Sequence, residues 1–588
     1  MKSFLKYTLA TIVGILITGL LFFIIFFSAM GALIPKGDKT AEIQPKSLLR
    51  MELSHVIMDR SPRDPFANFD FRSFEPTTTL GLNEILANIE KAGKDDDVEG
   101  IYLDLSVIPA GMATIEEIRS ALIEFKDSGK FIIGYADNYM QTTYYLASVA
   151  DRVYMNPAGR VNMTGLSSQL MFFKEGLDKL GVEPQVIRHG EFKSAVEPFT
   201  RNQMSEENRH QVNAYVNTLW NYMAEEIAEH RNISQDTLNW LVENLALNRP
   251  ETALNYGLVD GLKYKDEVLD ELREKSDVGD EDVRFVGMKK YNRVPEIKDY
   301  KGLARDKIAV IYSMGTVMMG EGQEGTIGSD RISGAIREAR KDTSIRAIVF
   351  RVNSGGGSAL ASEVIWRELQ LAQQEKPVVA SFGDVAASGG YYIAAPADTI
   401  VASPNTLTGS IGVFGLFFNS KELLNDKLGI HVDVAKSHSY SDLGSPFRSM
   451  TEKEKEAIRE GIKQVYDDFV SHVAEGRDMA EEEVDDIARG RIWSGMDARR
   501  IGLIDLYGGM QKAVDLAAEM AELDQYRTVG LPRLKDPFQQ FVEGFSGDIR
   551  SKVLRQTLGN EARYYMNLKE AAGMEGIQAR IPYKIEVY

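Results

Sequence analysis

Residues 342–353 read DTSIRAIVFRVN, and residues 95–106 read DDDVEGIYLDLS. Both begin with a polar turn and continue into a short run rich in β-branched and apolar residues, 247 positions apart. A short run that is apolar throughout, rather than alternating, is what a strand buried on both faces of a parallel sheet requires. The spacing persists downstream. Residues 136–151, ADNYMQTTYYLASVAD, match residues 383–398, GDVAASGGYYIAAPAD, at the same offset, and Glu197-Pro198-Phe199 answers Ser445-Pro446-Phe447 at an offset of 248. A nearly constant offset over such a length defines two copies of one domain, the first over residues 49–265 and the second over residues 305–530.

Each copy alternates predicted strands with predicted helices. Ile308–Tyr312, Ala347–Val352 and Pro377–Ser381 have strand character, while Ser329–Lys341 and Ser362–Gln374 carry apolar residues at helical spacing. Alternation of this kind predicts an α/β fold of βαβ units with right-handed crossovers. Residues 36–48 form a polar linker, residues 266–304 a charged helical linker between the copies, and residues 531–588 an extension. The closing IPYKIEVY alternates as a last strand would.

Composition narrows the function. A chain of 588 residues exceeds what one hydrophobic core serves. The net charge of −18, with no basic stripe, argues against nucleic acid as a partner. There is no cysteine, which removes disulfides, thiolate metal sites and cysteine nucleophiles together. From Tyr7 to Pro35 there is no charged residue, and Lys2 and Lys6 precede the run. Roughly 20 apolar residues span a bilayer, so residues 1–35 are expected to form an N-terminal transmembrane anchor. Small residues at Ser28-Ala29-Met30-Gly31-Ala32 leave a cleaved signal peptide as the alternative, although such leaders usually have only about 7–15 apolar residues. On either reading the body of the protein is exported.

The two copies differ where chemistry would differ. After its strand the second copy has Asn353-Ser354-Gly355-Gly356-Gly357-Ser358, where the first has Ser106-Val107-Ile108-Pro109-Ala110-Gly111. Consecutive glycines let the backbone approach a ligand and turn N–H groups towards it, which suits an oxyanion; they also suit a plain tight turn. The next strand is followed by Gly383-Asp384-Val385-Ala386-Ala387-Ser388-Gly389-Gly390-Tyr391-Tyr392 and a helix-like IAAPAD. Ser388 therefore falls at a strand-to-helix junction, where it could cap the helix or serve as a nucleophile beside free N–H groups. The first copy has Gln141-Thr142-Thr143 here yet keeps Tyr144-Tyr145. The scaffold does not demand Ser-Gly-Gly.

A nucleophilic serine needs a base. None of the seven histidines, His55, His189, His210, His230, His431, His438 and His472, sits in a recognisable catalytic spacing. There is no G-x-S-x-G elbow, and no S-x-x-K pair outside the N-terminal leader. A remote lysine could serve if burial lowered its pKa from about 10.4. Residues 189–199, HGEFKSAVEPF, align with 437–447, SHSYSDLGSPF, which sets Lys193 opposite Ser441. The first copy thus has the lysine without the serine nucleophile, and the second has the serine without the lysine.

The set NSGGGS, GDVAASGGYY, ASPNTLTGSIGVFG and EFKSAVEPF resembles the long, tandem-domain form of the signal peptide peptidase A family, over about residues 49–525. The resemblance implies two tandem crotonase/ClpP-like domains and a Ser–Lys dyad split between them, with Ser388 as nucleophile and Lys193 as base. It also implies that Ser410 orients the lysine, and that the N–H of Gly389 and one from Gly355, Gly356 or Gly357 form the oxyanion hole. The family usually has proline where Gly355 stands in this sequence. Further implications are a homotetramer, hydrophobic and remnant signal peptides as substrates, lipid contact through the N-terminal helix, no metal or cofactor, and a catalytic body on the extracytoplasmic side of the inner membrane. Two readings from other classes are a crotonase-like acyl-CoA enzyme, which shares such loops but needs no serine nucleophile, and a non-catalytic membrane scaffold.

Overall fold

A computed structural model describes residues 40–61, 80–279, 281–295, 304–323, 325–534 and 577–581. It adds the backbone of two short strands, Phe69–Asp70 and Glu75–Pro76, and scattered helical positions among the first 21 residues. The apolar run expected to anchor the chain lies largely outside the described residues, and no helix among them is long and apolar enough to cross a membrane.

The two stretches that open the sequence reading become equivalent central strands, Val98–Asp104 and Ile345–Ser354. In the first copy the parallel sheet runs Gly261–Leu262, Arg152–Met155, Phe131–Ala136, Val98–Asp104, Ser47–Met51, Phe285–Gly287. In the second copy the matching path runs Leu506–Tyr507, Thr399–Ala402, Val378–Ala387, Ile345–Ser354, Lys307–Met314, Arg527–Leu531, again all parallel. The same strand order in both copies is the structural form of the internal repeat. Ile348, Val349, Phe350 and Val352 are buried on both sides of the sheet, as their unbroken apolar run requires. Helix Ser329–Lys341 matches its predicted range, and helix Ala359–Gln373 starts three residues early, where Ser358 caps the Ala361 N–H.

Several expected boundaries move. The segment 266–304 is not simply a linker. After helix Lys265–Lys275 it supplies Phe285–Gly287, the edge strand of the first sheet, paired in parallel with Ser47–Met51. Three residues within a charged stretch were too short a signal to stand out. Ser47–Met51 likewise begins inside the polar linker. The helix-like IAAPAD is helical only in its preceding turn, Gly389–Tyr392, because Pro396 cannot continue a helix. The last described strand is Ile577–Arg580, just before IPYKIEVY, of which only Ile581 lies within the described residues.

A third sheet joins the copies and positions the site. Its order is Ile327–Gly328, Val317–Met318, Gly356–Ser358, Ile577–Arg580, Val413–Asn419, Glu183–His189. The last pair crosses between copies: Glu183–His189 of the first runs antiparallel to Val413–Asn419 of the second, with Val413 opposite His189 and Asn419 opposite Glu183.

An ionic contact fixes the same interface from the other side. Arg351, at the end of the central strand and fully buried, donates from Nε to Asp59 Oδ1 (2.8 Å) and from Nη2 to Glu117 Oε1 (2.7 Å). The other oxygen of Glu117 accepts the Met510 N–H (2.7 Å) at the start of helix Met510–Met520, where a negative charge also meets the helix dipole. Asp384, four residues before Ser388, accepts from the Thr114 N–H (2.9 Å) and hydroxyl (2.8 Å). Removing one member of a buried charge set leaves the others uncompensated, which costs about 3–5 kcal/mol. Arg351→Ala should therefore lower the unfolding free energy by about 3–5 kcal/mol, read as a lower denaturant midpoint. A midpoint within error of the unmodified chain would show that the network contributes nothing.

Candidate active site

The cross-copy ladder ends at His189, and the chain then turns through Gly190 (φ +96°) to present Lys193. Phe192 N–H donates to the Arg489 carbonyl (3.0 Å), and Gly490 (φ +84°) packs directly on the Lys193 backbone. A Cβ on Gly490 would lie 2.6 Å from both the nitrogen and the Cβ of Lys193. Gln211, wholly buried on helix Glu206–Arg231, donates to the Phe192 carbonyl (3.1 Å) and to Ser194 Oγ (3.1 Å), and accepts from the Ile492 N–H (3.1 Å). It ties the lysine loop to the second copy.

Ser388 follows strand Val378–Ala387 with φ +56° and ψ −119°, a backbone conformation that costs a non-glycine residue on the order of 1–3 kcal/mol. Its N–H donates to the Gly409 carbonyl (2.7 Å), and its side chain makes no capping hydrogen bond, so the helix-cap reading of this serine does not hold. Gly409 (φ +73°) and Ser410 (φ +50°) also take left-handed conformations, and the Ser410 N–H donates to the Arg491 carbonyl (2.6 Å).

These turns bring three side chains together. Lys193 Nζ lies 2.7 Å from Ser388 Oγ, 2.9 Å from the Ser410 carbonyl and 3.1 Å from Ser410 Oγ. All three residues are buried. Burial, with no neighbouring carboxylate to offset it, drives the Lys193 pKa well below its ordinary value. A neutral amine satisfies the contacts without conflict. Its two N–H groups serve the two Ser410 oxygens, its lone pair receives the Ser388 hydroxyl, and Ser410 Oγ donates onward to the Gly490 carbonyl (3.3 Å). The arrangement can take a proton from Ser388.

The glycine loop lies alongside. Gly356 (φ +92°) donates its N–H to Ser354 Oγ (3.0 Å), and Gly357 is in strand register with Ala579. A Cβ on Gly356 would lie 2.6 Å from the Gly389 nitrogen, so the two loops approach as closely as glycine permits. The Gly389 amide is the first of helix Gly389–Tyr392, one that a helix leaves unpaired. The Gly355 carbonyl accepts the Ile581 N–H (2.8 Å).

Three of the histidines are engaged elsewhere, and His55, His210, His431 and His438 are exposed. His189 packs on Tyr466, His230 bonds Arg119, and His472 stacks on Trp366 with Nε2 3.1 Å from Glu363. In the first copy Gln141 stands at the place of Ser388 and donates to the Gly165 carbonyl (3.0 Å), while Ser441, opposite Lys193 in the repeat, is exposed. The retained tyrosines are structural in both copies: Tyr144 donates to the Leu258 carbonyl (2.5 Å) and Tyr391 to that of Leu503 (2.8 Å). Sequence reasoning missed Gln211, Gly490 and the strand Ile577–Arg580. None carries a motif, and each matters through a contact with residues distant in sequence. A cavity of about 910 Å³ between helices of the two copies includes none of these site residues.

Peptidase family S49 matches this chain twice, over residues 124–279 and 370–524. "Protease 4" of Haemophilus influenzae is 34% identical over 525 residues, covering 86% of this chain and 84% of that one. "Protease 4" of Salmonella typhi is 34% identical over 553 residues, 92% and 89% of the two chains, and "Serine protease SPPA, chloroplastic" of Arabidopsis thaliana is 32% identical over 508 residues, 85% and 74%. Among solved structures, a ClpP1 mutant from Listeria monocytogenes aligns at 17% identity over 35% of this chain and 94% of its own, with a TM-score of 0.24. The chain belongs to peptidase family S49, in its tandem form, and is a serine peptidase. The acyl-CoA and non-catalytic readings give way to that membership.

Two outcomes follow from the geometry. A lysine whose folded pKa lies below its unfolded value destabilises the fold at every pH below about 10.4, because the unfolded chain gains a proton that the folded one resists. Lys193→Met should therefore raise the Tm at pH 7, by about 1–4 °C, and a lowered Tm in calorimetry would contradict this. Gly490→Ala should push the lysine loop away and reduce kcat by roughly 10²-fold, the scale of a 1 Å misplacement. Unchanged turnover would show that the loop has slack.

Proposed function

We propose that this chain is a membrane-anchored endopeptidase that degrades remnant signal peptides and other hydrophobic peptides, using Ser388 as nucleophile and Lys193 as general base. The observation that carries the reading is the 2.7 Å contact between the desolvated Lys193 amine and the Ser388 hydroxyl. Neutral Lys193 takes the hydroxyl proton as Ser388 Oγ attacks the peptide carbonyl, then returns it to the departing amine. Water hydrolyses the acyl-enzyme by the same proton path in reverse. Ser410 is the positioning residue, holding Nζ from two oxygens. Gly389 is one oxyanion donor. Gly357 is the favoured second, since the Gly356 N–H is turned to Ser354 and Gly355 lies a further residue away.

Residues 1–35 hold the enzyme in the inner membrane with its body on the outer side, and the working assembly is a homotetramer. Support for self-association comes from the exposed stretch 428–447, where Leu428, Ile430, Val432, Val434, Tyr440, Leu443 and Phe447 place large apolar side chains at the surface. The crotonase/ClpP-like form of each copy agrees with the shared order of its parallel strands.

Ser388→Ala and Lys193→Ala should each cut casein hydrolysis by at least about 10³-fold, and a fluorophosphonate should label Ser388 in the unmodified chain. Activity should rise with pH through the depressed Lys193 pKa and stay high above it, because the base works only when neutral. Retained cleavage in either variant, or a profile that falls with rising pH across that range, would sink the dyad.

A further inference from the structure

Three side chains stack where loops of the two copies meet, beside the dyad. Arg491 Cζ lies 3.9 Å from the ring centroid of Trp493 and 5.3 Å from that of Phe192. The guanidinium makes no ion pair among the described residues, and its Nε is buried without a hydrogen-bond partner. Asp497, the carboxylate that acts on it, is engaged by Ser494 Oγ (2.8 Å) and by Arg500. Burial outweighs that carboxylate and holds the Arg491 pKa below its ordinary value. A guanidinium with no carboxylate to meet is held by ring faces, which attract a cation more strongly as water is excluded.

Each member of the stack is tied to a different part of the site. Phe192 immediately precedes Lys193. The Arg491 carbonyl accepts the Ser410 N–H (2.6 Å), and Ser410 in turn holds Lys193 Nζ. Trp493 packs on Gly409, where a Cβ would lie 2.8 Å from the indole Cδ1, and the Gly409 carbonyl accepts the Ser388 N–H (2.7 Å). The Trp493 ring is itself fixed, its Nε1 donating to the Ile487 carbonyl (2.9 Å). The stack therefore reaches Lys193, Ser410 and Ser388 through the backbone. Ile492, between Arg491 and Trp493, packs with Ala387 and Leu407, so strand alternation turns Trp493 away from that apolar cluster. The other side-chain link between these loops, Arg489 to Glu191 at 3.8 Å, joins side chains 40% and 54% exposed and adds little.

We propose that Phe192, Arg491 and Trp493 form a ring–cation–ring clamp that keeps Lys193 dry and in register with Ser388, with Arg491 as the positioning residue. The inference rests on the Ser388–Lys193 reading. The clamp acts on the base through Phe192 and on Ser410 through its own main chain, without touching a substrate. Opening it would admit water to the lysine loop, stabilise the ammonium and raise the pH at which the amine becomes neutral. Burial alone depresses the Lys193 pKa, with no carboxylate or second cation acting on it, so hydration is the route by which the clamp changes its charge.

The pH dependence of casein-peptide hydrolysis by the full chain tests the clamp. Arg491→Met keeps an unbranched apolar stem but removes the charge. It should move the midpoint of the kcat profile up by about one pH unit, which lowers kcat roughly tenfold below the midpoint. Well above the new midpoint kcat should return to that of the unmodified chain, and KM should stay unchanged throughout. Arg491→Lys, which keeps a cation without the planar face, should shift the midpoint by less. Phe192→Leu should match Arg491→Met, and the double variant should shift no further, since both remove one contact. Phe192 is partly exposed, so its variant carries the test if Arg491→Met folds poorly. An unmoved midpoint in folded variants, with kcat lowered at every pH, would reduce the stack to ordinary packing and overturn the proposal while leaving the dyad standing. Shifts that add in the double variant would do the same. An unmodified chain inert to casein and to the fluorophosphonate overturns the dyad and this proposal with it.

Discussion

Everything at the centre depends on keeping one ammonium group out of water. Lys193 is useful as a base only while its amine is neutral, and a lysine becomes neutral near physiological pH only when charging it would mean burying a charge. The fold achieves this by using each copy as the lid of the other. Glu183–His189 carries the lysine across to Val413–Asn419, and the second copy's Ser410 and Gly490 close around it. Neither copy alone could bury the side chain so completely. The division of the proposed dyad between two domains would follow from its base: histidine titrates near neutrality by itself, while lysine needs an enclosure.

The repeat was legible because buried parallel strands leave a dense, unbroken apolar signal. Val98–Asp104 and Ile345–Ser354 announce themselves and fix the offset, and the helix Ser329–Lys341 follows from its spacing. The complementary placement of Lys193 and Ser388 was legible for a related reason. Comparing copies removes what the scaffold needs and leaves what it does not, such as Ser-Gly-Gly against Gln-Thr-Thr before the same pair of tyrosines. What stayed hidden depends on tertiary contact. Gln211 is one polar residue on a 26-residue helix until Ile492 is seen to donate to it. Phe285–Gly287 is three residues in a charged stretch until Ser47–Met51 lies beside it. The helix-cap reading of Ser388 failed because sequence shows the junction but not the dihedral angles.

Duplication also explains how the first copy can lack the chemistry proposed for Ser388. Gln141, at the position of Ser388, satisfies its amide on the Gly165 carbonyl, and Met163 stands where Ser410 stands in the second copy. A buried amide with a fixed partner stabilises that turn, whereas a nucleophile there would face no base, since Ser441 is exposed. The second element of such a site, an enclosed amine, would need its own enclosing ladder. Residues 431–437, equivalent to Glu183–His189, form no strand among the described residues. Without the ladder a lysine at 441 would stay solvated and charged, so a serine at position 141 would find no neutral base there.

The left-handed angles at Ser388, Gly409 and Ser410 belong to the same constraint. A serine held by an ordinary helix start would turn its hydroxyl back onto the first N–H groups, which are the donors that an oxyanion needs. Forcing φ to +56° turns Oγ away from the helix and towards Lys193, leaving the Gly389 amide for other use. The conformation is unfavourable locally, and it persists because the surroundings over-determine it. The Ser388 N–H is fixed to Gly409, Thr408 Oγ1 to the Ala386 carbonyl (2.6 Å), and Asp384 to Thr114 of the other copy. The interface that encloses the lysine also strains the serine. Loosening it would relax Ser388 and hydrate Lys193 at once, so the two halves of the proposed dyad are coupled through packing as much as through their hydrogen bond.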